Sequence, residues 1–279
     1  MTEENNNNNN TSTGVKVGWT TDIHLNFCHI DKIKAWADKI NENDMDCLIV
    51  TGDIAEGSNI DDYLTIMHTY IKCPIYFILG NHDYYDSNTK TVRVTMKKNW
   101  NTDKRCVWLG NVSYVDKGKI AIVGHDGWYD GLYANWYRSK VIMSDYHVIG
   151  DLKYHHDNLL HTKLGELATE SAEHVRAGAL KAIEDGFSHI LIATHVPPFR
   201  ENAVYQGVIS DDNWMPHFSS KIFGDMLLDI GKNNPNVGFT VLCGHSHGDA
   251  TYSPLSNLTC KTGYAKYRSP GLNNIFLFE

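Results

Sequence analysis

The sequence lacks several features that would assign it to a specialised class of protein. Its 279 residues contain no apolar run close to the roughly 20 residues that a membrane-spanning helix needs. The first residues are acidic and lead into an asparagine tract at residues 5–10, which matches neither a signal peptide nor an arginine-rich transit peptide. We therefore expect no membrane association, a cytoplasmic location by default, and a disordered, low-complexity tail over residues 1–13.

Positive charge is also scarce. The chain has 25 lysines and arginines against 33 aspartates and glutamates, a net charge of −8, and no cluster of basic residues. Nucleic-acid binding draws its affinity from a basic face that neutralises phosphates, so this composition argues against a nucleic-acid partner. An anionic substrate remains compatible with an acidic protein if bound metal ions supply the local positive charge.

The positions of the cysteines do not indicate a fold held by disulfide bonds or by zinc. The six cysteines are scattered and form no C-x-x-C pair, which argues against a disulfide framework and against a zinc finger. Cys47 and Cys243 lie inside apolar runs, a position typical of reduced core residues.

What the chain does contain is an alternation of strand-like and helix-like patterns. Its 42% hydrophobic content is ordinary for a globular protein, and its length suits one large domain over residues 14–279. Buried strands are predicted at residues 15–19, 47–51, 75–79, 190–193 and 239–243, and helices at 33–40, 60–71, 92–100, 164–183 and 222–230. Shorter strands are predicted at 107–109, 113–115 and 120–123, and closing antiparallel strands near 252, 258–262 and 275–278. Strand–helix alternation predicts parallel strands with helical crossovers.

Residues 128–161 differ in kind from the rest of the chain. They are rich in tyrosine, tryptophan and histidine and have weak periodicity. We expect an insertion or a cap over the site, which fits ordinary packing and a substrate-facing wall equally well; in a wall, Trp128, Tyr129 and Trp136 are the best candidates for contact with substrate.

Side chains that bind metals or transfer protons follow each main strand. In chain order they are Asp22, His24, Asp53, Asn81, His82, His195, His245 and His247. Because parallel strands end at the same edge of a sheet, we expect these side chains to lie together. Imidazole with carboxylate suits Zn, Fe or Mn better than an all-oxygen Mg or Ca site. There are more ligands than one four-coordinate ion uses, so two ions that share a carboxylate are the economical interpretation.

Written as motifs, these residues form D-x-H, G-D, G-N-H-D, a lone His and G-H-x-H, in that order over residues 22–247. This ordered set closely resembles the calcineurin-like metallophosphoesterase family. Other D-x-H and G-D pairs occur at residues 145–147, 150–151, 224–225 and 248–249, but none directly follows a clear apolar strand. The resemblance implies an α/β fold, a four-layer αββα sandwich of two mixed β-sheets flanked by helices.

The resemblance also implies a role for each residue. One divalent ion (Mn, Fe or Zn) would be held by Asp22, His24, Asp53 and His247, and a second by Asp53, Asn81, His195 and His245. Asp53 would bridge the ions, and a metal-bridging hydroxide would attack phosphorus in line. His82 would lie beside the phosphate as an acid or charge stabiliser without binding metal. Asn81 and Arg200 are further candidates for contact with the phosphate, although Arg200 fits an ordinary surface arginine better.

Two departures from the family's motifs narrow the expected function. Protein Ser/Thr phosphatases of this family carry G-D-x-V-D-R-G, whereas residues 52–57 read G-D-I-A-E-G. Purple acid phosphatases place a tyrosine three residues after the bridging aspartate, where this chain has Glu56. What remains is a hydrolase of a small phosphomonoester or phosphodiester. A nuclease and a non-catalytic interaction module on this fold stay as alternatives; the acidic charge argues against the first, and the intact ligand blocks with His82 argue against the second.

Overall fold

The structure is a computed structural model that describes residues 14–100, 104–153 and 157–279. The predicted tail over residues 1–13 lies outside the described residues, as do Tyr154, His155 and His156 of the aromatic segment. None of the helices in the described ranges is both long and apolar enough to cross a bilayer.

The secondary structure follows the predicted alternation closely. The strands are β1 (Val15–Thr20), β2 (Cys47–Thr51), β3 (Ile75–Ile78), β4 (Cys106–Trp108), β5 (Val115–Asp116), β6 (Ala121–Gly124), β7 (His189–Ala193), β8 (Val204–Tyr205), β9 (Val208–Ile209), β10 (Gly238–Cys243), β11 (Ala250–Leu255), β12 (Leu258–Thr262) and β13 (Asn274–Phe278). The helices are α1 (Ile30–Asn41), α2 (Ile60–Tyr70), α3 (Thr89–Trp100), α4 (Asp145–Val148), α5 (Asp157–Glu184), α6 (Met215–Phe218) and α7 (Lys221–Asn233).

The strands form two mixed sheets and one separate hairpin. The first sheet has the order β13-β1-β2-β3-β4, in which β1 to β4 are parallel and β13 is antiparallel to β1. The second has the order β11-β12-β10-β7-β6-β5, in which β12, β10, β7 and β6 are parallel. Strands β8 and β9 pair only with each other. The predicted pair of mixed sheets is confirmed.

The expectation of an antiparallel strand at residues 258–262 is wrong for its contact with β10. Strand β12 runs parallel to β10 and antiparallel to β11. The reason is topological: β11 takes the edge of the sheet, and the turn that follows it returns the chain into the gap beside β10.

The apolar strands are buried on both faces, which explains their nearly continuous hydrophobic runs. In β2, Cys47 and Ile49 pack in the cluster between the two sheets, together with Leu191 of β7. Leu48 and Val50 point the other way and pack in the cluster that also contains residues of α1 and α2. The second sheet packs its outer face against α5 and α7. These contacts produce the predicted four layers.

A buried carboxylate joins the two sheets at their carboxyl ends. Asp126 follows β6 of the second sheet and accepts hydrogen bonds from the Leu79 amide (3.0 Å) and the Trp108 indole (3.1 Å) of the first. Its other oxygen accepts from the Tyr84 hydroxyl and lies 3.2 Å from an Arg93 guanidinium nitrogen. Asp126 therefore fixes the point where β3 ends and the polar loop after it begins.

Replacing Arg93 with methionine tests how much this junction depends on its charge balance. Arg93→Met keeps an unbranched apolar stem but removes the guanidinium, which leaves the buried Asp126 carboxylate without this cationic partner. We expect the free energy of unfolding to fall by about 3–5 kcal/mol, as measured by urea titration. Arg176→Met is the control, because Arg176 pairs with Asp229 on the surface and should change stability by about 1 kcal/mol or less. Equal losses in the two variants would contradict the role of Asp126.

Candidate metal centre

The first group of predicted ligands lies at the carboxyl ends of β1, β2 and β10. One ligand atom each from Asp22, His24, Asp53 and His247 lie within 4.8 Å of one another. His247 Nε2 is 3.2 Å from Asp22 Oδ1 and 3.4 Å from His24 Nε2. His24 Nε2 is 3.8 Å from Asp53 Oδ2. This group of imidazoles and carboxylates can hold a metal ion.

The second group meets the first at Asp53. Asn81 Oδ1 lies 3.0 Å from His195 Nε2 and 3.0 Å from His245 Nδ1. His195 Nε2 lies 3.4 Å from Asp53 Oδ1, the oxygen that does not face His24. The two carboxylate oxygens of Asp53 therefore face different groups of ligands, which is the arrangement that a bridging carboxylate requires.

The hydrogen bonds of the second group test whether it suits a cation. His195 Nδ1–H donates to the Thr51 carbonyl at 2.8 Å, and His245 Nε2–H donates to the His217 carbonyl at 2.9 Å. When both rings are neutral, as metal binding requires, their other nitrogens carry lone pairs, and both face the Asn81 carbonyl oxygen, which has no hydrogen to donate. A cation bonded to its ligands at about 2.1 Å would separate them by about 3.0–3.4 Å, and the pairs Asn81–His195, Asn81–His245 and Asp53–His195 have such separations. The second group therefore fits a metal ion.

The protonation states of the buried groups point the same way. Burial lowers the pKa of His24 and of His245 to about 4, so both imidazoles are neutral at pH 7 and free to bind metal. Burial also acts against protonation of His195, but the neighbouring Asp53 carboxylate outweighs it and raises the pKa of His195 to about 10. In the metal-free chain a proton at His195 balances the buried charge, and a cation would replace it.

Five of the seven candidate ligands occupy an uncommon backbone conformation. Asp22, His24, Asp53, His245 and His247 all have positive φ values, between 41° and 68°. Such left-handed conformations are rare for residues other than glycine and cluster at functional sites. They allow each loop to leave its strand sharply, so that the side chain turns toward the neighbouring strand ends.

Two glycines let the loops after β2 and β3 touch. A Cβ on Gly80 would lie 2.5 Å from the amide nitrogen of Asp53, and a Cβ on Gly52 would lie 2.5 Å from that of Gly80. Both distances are too short for any side chain, so the G-D and G-N-H-D motifs need glycine in order to approach each other.

Asp83 holds these two loops in register. Its carboxylate accepts hydrogen bonds from the amides of Ile54 (2.9 Å), Ala55 (2.8 Å) and Gly80 (2.8 Å). It lies behind the ligands and is fully buried. This placement gives Asp83 an orienting role and keeps it out of the two ligand groups.

His82 lies beside both groups without joining either. Its Nε2 is 4.0 Å from Asp53 Oδ2, and its ring stacks on Tyr85 with centroids 4.2 Å apart. The side chain is 18% exposed and lines the cleft above the ligands. A group placed in that cleft can therefore contact His82.

Two of the predicted substrate contacts, Trp128 and Arg200, lie away from this cleft. Trp128 is 1% exposed and packs in the core against Tyr84, so it does not line the cleft. Arg200 donates to the Tyr133 carbonyl and to the exposed Asp212 carboxylate, and it does not line the cleft. Neither position supports a direct contact with substrate in this conformation.

Asp145 orients a candidate ligand, although its own D-x-H motif at residues 145–147 follows no strand and did not indicate a role in the site. Its buried carboxylate accepts hydrogen bonds from Asn81 Nδ2 (3.1 Å), the Tyr85 hydroxyl (2.6 Å) and the Tyr129 hydroxyl (2.7 Å). The first of these bonds turns Asn81 Oδ1 toward the ligand group, and Tyr129 also stacks on His245. Asp145 lies 64 residues from Asn81 and follows no strand, so no local pattern marks it.

Asp145→Asn tests this supporting role. In asparagine the negative charge is lost and an amide group replaces one of the two acceptor oxygens, so the bond that orients the Asn81 amide is weakened. We expect the affinity for Mn²⁺ to fall about 10–100-fold by calorimetric titration, as for other groups that orient metal ligands. Asp130→Asn is the control, because Asp130 is equally buried in the same segment but accepts from Leu132, Ser220 and Ile222 instead. Weakened Mn²⁺ binding in both variants would mean a general packing effect.

Comparison with solved structures shows the same fold at low sequence identity. The phosphopantetheinyl hydrolase of Mycobacterium tuberculosis is 12% identical, with a TM-score of 0.63 over 92% of this chain and 91% of that one. A dimetal phosphatase from Danio rerio is 13% identical, with a TM-score of 0.58 over 96% and 94% of the two chains. A Thermus thermophilus protein is 9% identical, with a TM-score of 0.52 over 95% and 98%. No curated protein sequence gives a match.

These sequence identities are too low to assign the chain to a family, but a family model does so. The model described as calcineurin-like phosphoesterase matches residues 15–249, which span every predicted ligand from Asp22 to His247. The chain belongs to the calcineurin-like phosphoesterase family.

Proposed function

We propose that this protein is a binuclear metal-dependent hydrolase of small phosphate esters. The observation that carries the proposal is the position of Asp53, whose two oxygens face two separate groups of nitrogen and oxygen ligands. Membership of a phosphoesterase family supports the reaction class. The Danio rerio protein of similar fold is described as a dimetal phosphatase, which agrees with two ions.

The ligand groups define the two proposed metal sites. Asp22, His24 and His247 would hold one divalent ion, and Asn81, His195 and His245 the other, with Asp53 shared. The mixture of imidazole, carboxylate and amide suits Mn, Fe or Zn. Bound there, two ions would supply Lewis acidity and lower the pKa of a water molecule toward neutrality.

The chain's own residues would position the ester and manage its protons. Water supplies the new oxygen at phosphorus, the phosphorus–oxygen bond to the alcohol breaks, and the departing alkoxide takes up a proton. His82 faces the cleft and approaches both groups without belonging to either, so it is placed to donate that proton or to stabilise charge on the phosphoryl oxygens. Asp83 and Asp145 keep the surrounding loops and the Asn81 amide in place.

Hydrolysis of two model esters tests the proposal. Metal-stripped protein resupplied with Mn²⁺, Zn²⁺, Fe²⁺ or Mg²⁺ should hydrolyse p-nitrophenyl phosphate or bis-p-nitrophenyl phosphate only when metal is present, and the ratio of the two rates separates monoesterase from diesterase activity. Asp53→Asn is the control, since it should lose both ions together in a metal analysis and lose turnover with them. Two bound ions with no turnover of either ester would contradict the proposed hydrolase; loss of only one ion from Asp53→Asn would contradict the bridge.

Removing the His82 imidazole tests its place in the reaction. We expect His82→Ala to lower turnover by about 10²–10⁴-fold, the range for loss of a general acid, while both ions stay bound. The loss should be greater for phenyl phosphate than for p-nitrophenyl phosphate, because the more basic phenolate needs the proton more.

The matched control for His82→Ala is His147→Ala, which removes an exposed imidazole from the surface. Near-normal turnover by His82→Ala would exclude His82 from the mechanism. Equal losses for the two esters would leave charge stabilisation as its role and exclude proton transfer.

A further inference from the structure

The candidate metal centre opens into a cleft of about 1020 Å³. Asp53, Asn81, His82, His245 and His247 line its floor, so the cleft and the ligand groups are continuous. A phosphate ester with its phosphoryl group at the ligands would therefore extend its alcohol portion into this cleft.

Large apolar side chains form much of the wall. They include Ile142, Tyr205, Val208, Ile209, Trp214 and Tyr267. All of these are exposed, Val208 to 69% and Ile142 to 72% of its surface. Exposed apolar side chains that are gathered around one cleft are unusual on a soluble protein and mark a place where an apolar partner binds.

The hairpin of β8 and β9 contributes three of these side chains, Tyr205, Val208 and Ile209. Its two-residue turn, Gln206 and Gly207, has positive φ at both positions (49° and 79°), the conformation that closes a tight hairpin. The strands pair with each other and with neither large sheet, so the hairpin presents Val208 and Ile209 to the cleft without a packing role in the sheets.

The charge of the cleft restricts what fits there. Lys266 is the single lysine or arginine among the described residues that line it, whereas Asp53 and Asp211 are acidic. Beyond the phosphoryl group at the ligands, further phosphates of a polyphosphate or a nucleic-acid chain would find one cation. An uncharged apolar group matches the wall better.

We propose that the substrate is a phosphate ester whose alcohol portion is uncharged and apolar, and that Val208 and Ile209, with the other wall residues, bind that portion. The inference rests on the proposed function for the placement of the phosphoryl group. In this inference, the apolar wall of the cleft selects the substrate, and the ligand groups carry out the hydrolysis.

Chain-length dependence tests the inference. Methyl, propyl and hexyl phosphate have leaving groups of similar basicity, so differences in kcat/KM report contact with the chain. Each methylene that is fully buried should raise kcat/KM by about fourfold, and the open cleft should give at least about tenfold between methyl and hexyl. Binding of methyl-, propyl- and hexylphosphonate to the metal-loaded protein, measured by calorimetry, gives the same series without hydrolysis.

The double variant Val208→Thr with Ile209→Thr keeps β-branched side chains on the hairpin and removes apolar surface. We expect it to reduce the hexyl-to-methyl ratio to below about threefold. Val94→Thr is the matched control, because Val94 is 57% exposed on α3 and does not line the cleft; it should keep the native ratio.

The outcomes separate this inference from the proposed function. Equal affinity for methyl- and hexylphosphonate would overturn the apolar assignment, even if p-nitrophenyl phosphate is hydrolysed. If the double variant keeps the native hexyl-to-methyl ratio of kcat/KM, the proposed role of the hairpin is wrong. Binding that rises with chain length and falls in the double variant, without hydrolysis of any ester, would support the apolar cleft and overturn the hydrolase. Absence of both binding and hydrolysis would overturn both.

Discussion

Buried carboxylates that accept several hydrogen bonds hold the strand ends in place. Asp126 connects the two sheets, Asp83 connects the loops after β2 and β3, and Asp145 connects the aromatic segment to Asn81. A buried carboxylate without partners is costly, and an amide or hydroxyl left without an acceptor costs about 1–3 kcal/mol, so each group is stable only while its loops stay together. The ligand geometry therefore depends on carboxylates that need not touch a metal.

This arrangement maintains a centre that would not be stable alone. Left-handed backbone at a non-glycine residue costs about 1–3 kcal/mol, and Asp22, His24, Asp53, His245 and His247 all adopt it. The lone pairs of His245 Nδ1 and Asn81 Oδ1 also face each other at 3.0 Å, beside a protonated His195. The apolar layers on both faces of the sheets supply the stability that offsets these costs. A cation would relieve the facing lone pairs, so metal binding and the stability of the chain should be coupled.

Sequence reasoning placed the candidate ligands near one another because their positions follow from regular structure. Parallel strands end at one edge, and the residues after β1, β2, β3, β7 and β10 meet there. The direction of β12 could not be predicted in this way, since a short strand has the same alternating pattern whether it runs parallel or antiparallel to its neighbour. Asp145 lies in a segment without periodicity, and its contact with Asn81 depends on the tertiary path of the chain. The hairpin of β8 and β9 has two residues in each strand, too few to give an alternating pattern.

The parts that sequence could not place are those that shape the cleft. Ile142 comes from the aromatic segment, Val208 from the hairpin and Tyr267 from the loop between β12 and β13, and none belongs to a strand of the two sheets. Changes in these segments can therefore alter the cleft while the ligands stay where the sheets put them. The aromatic segment is the exception, because it supplies both Ile142 to the wall and Asp145 to Asn81. A substitution there that moves its backbone would disturb recognition and ligand orientation together, whereas one in the hairpin would disturb recognition alone.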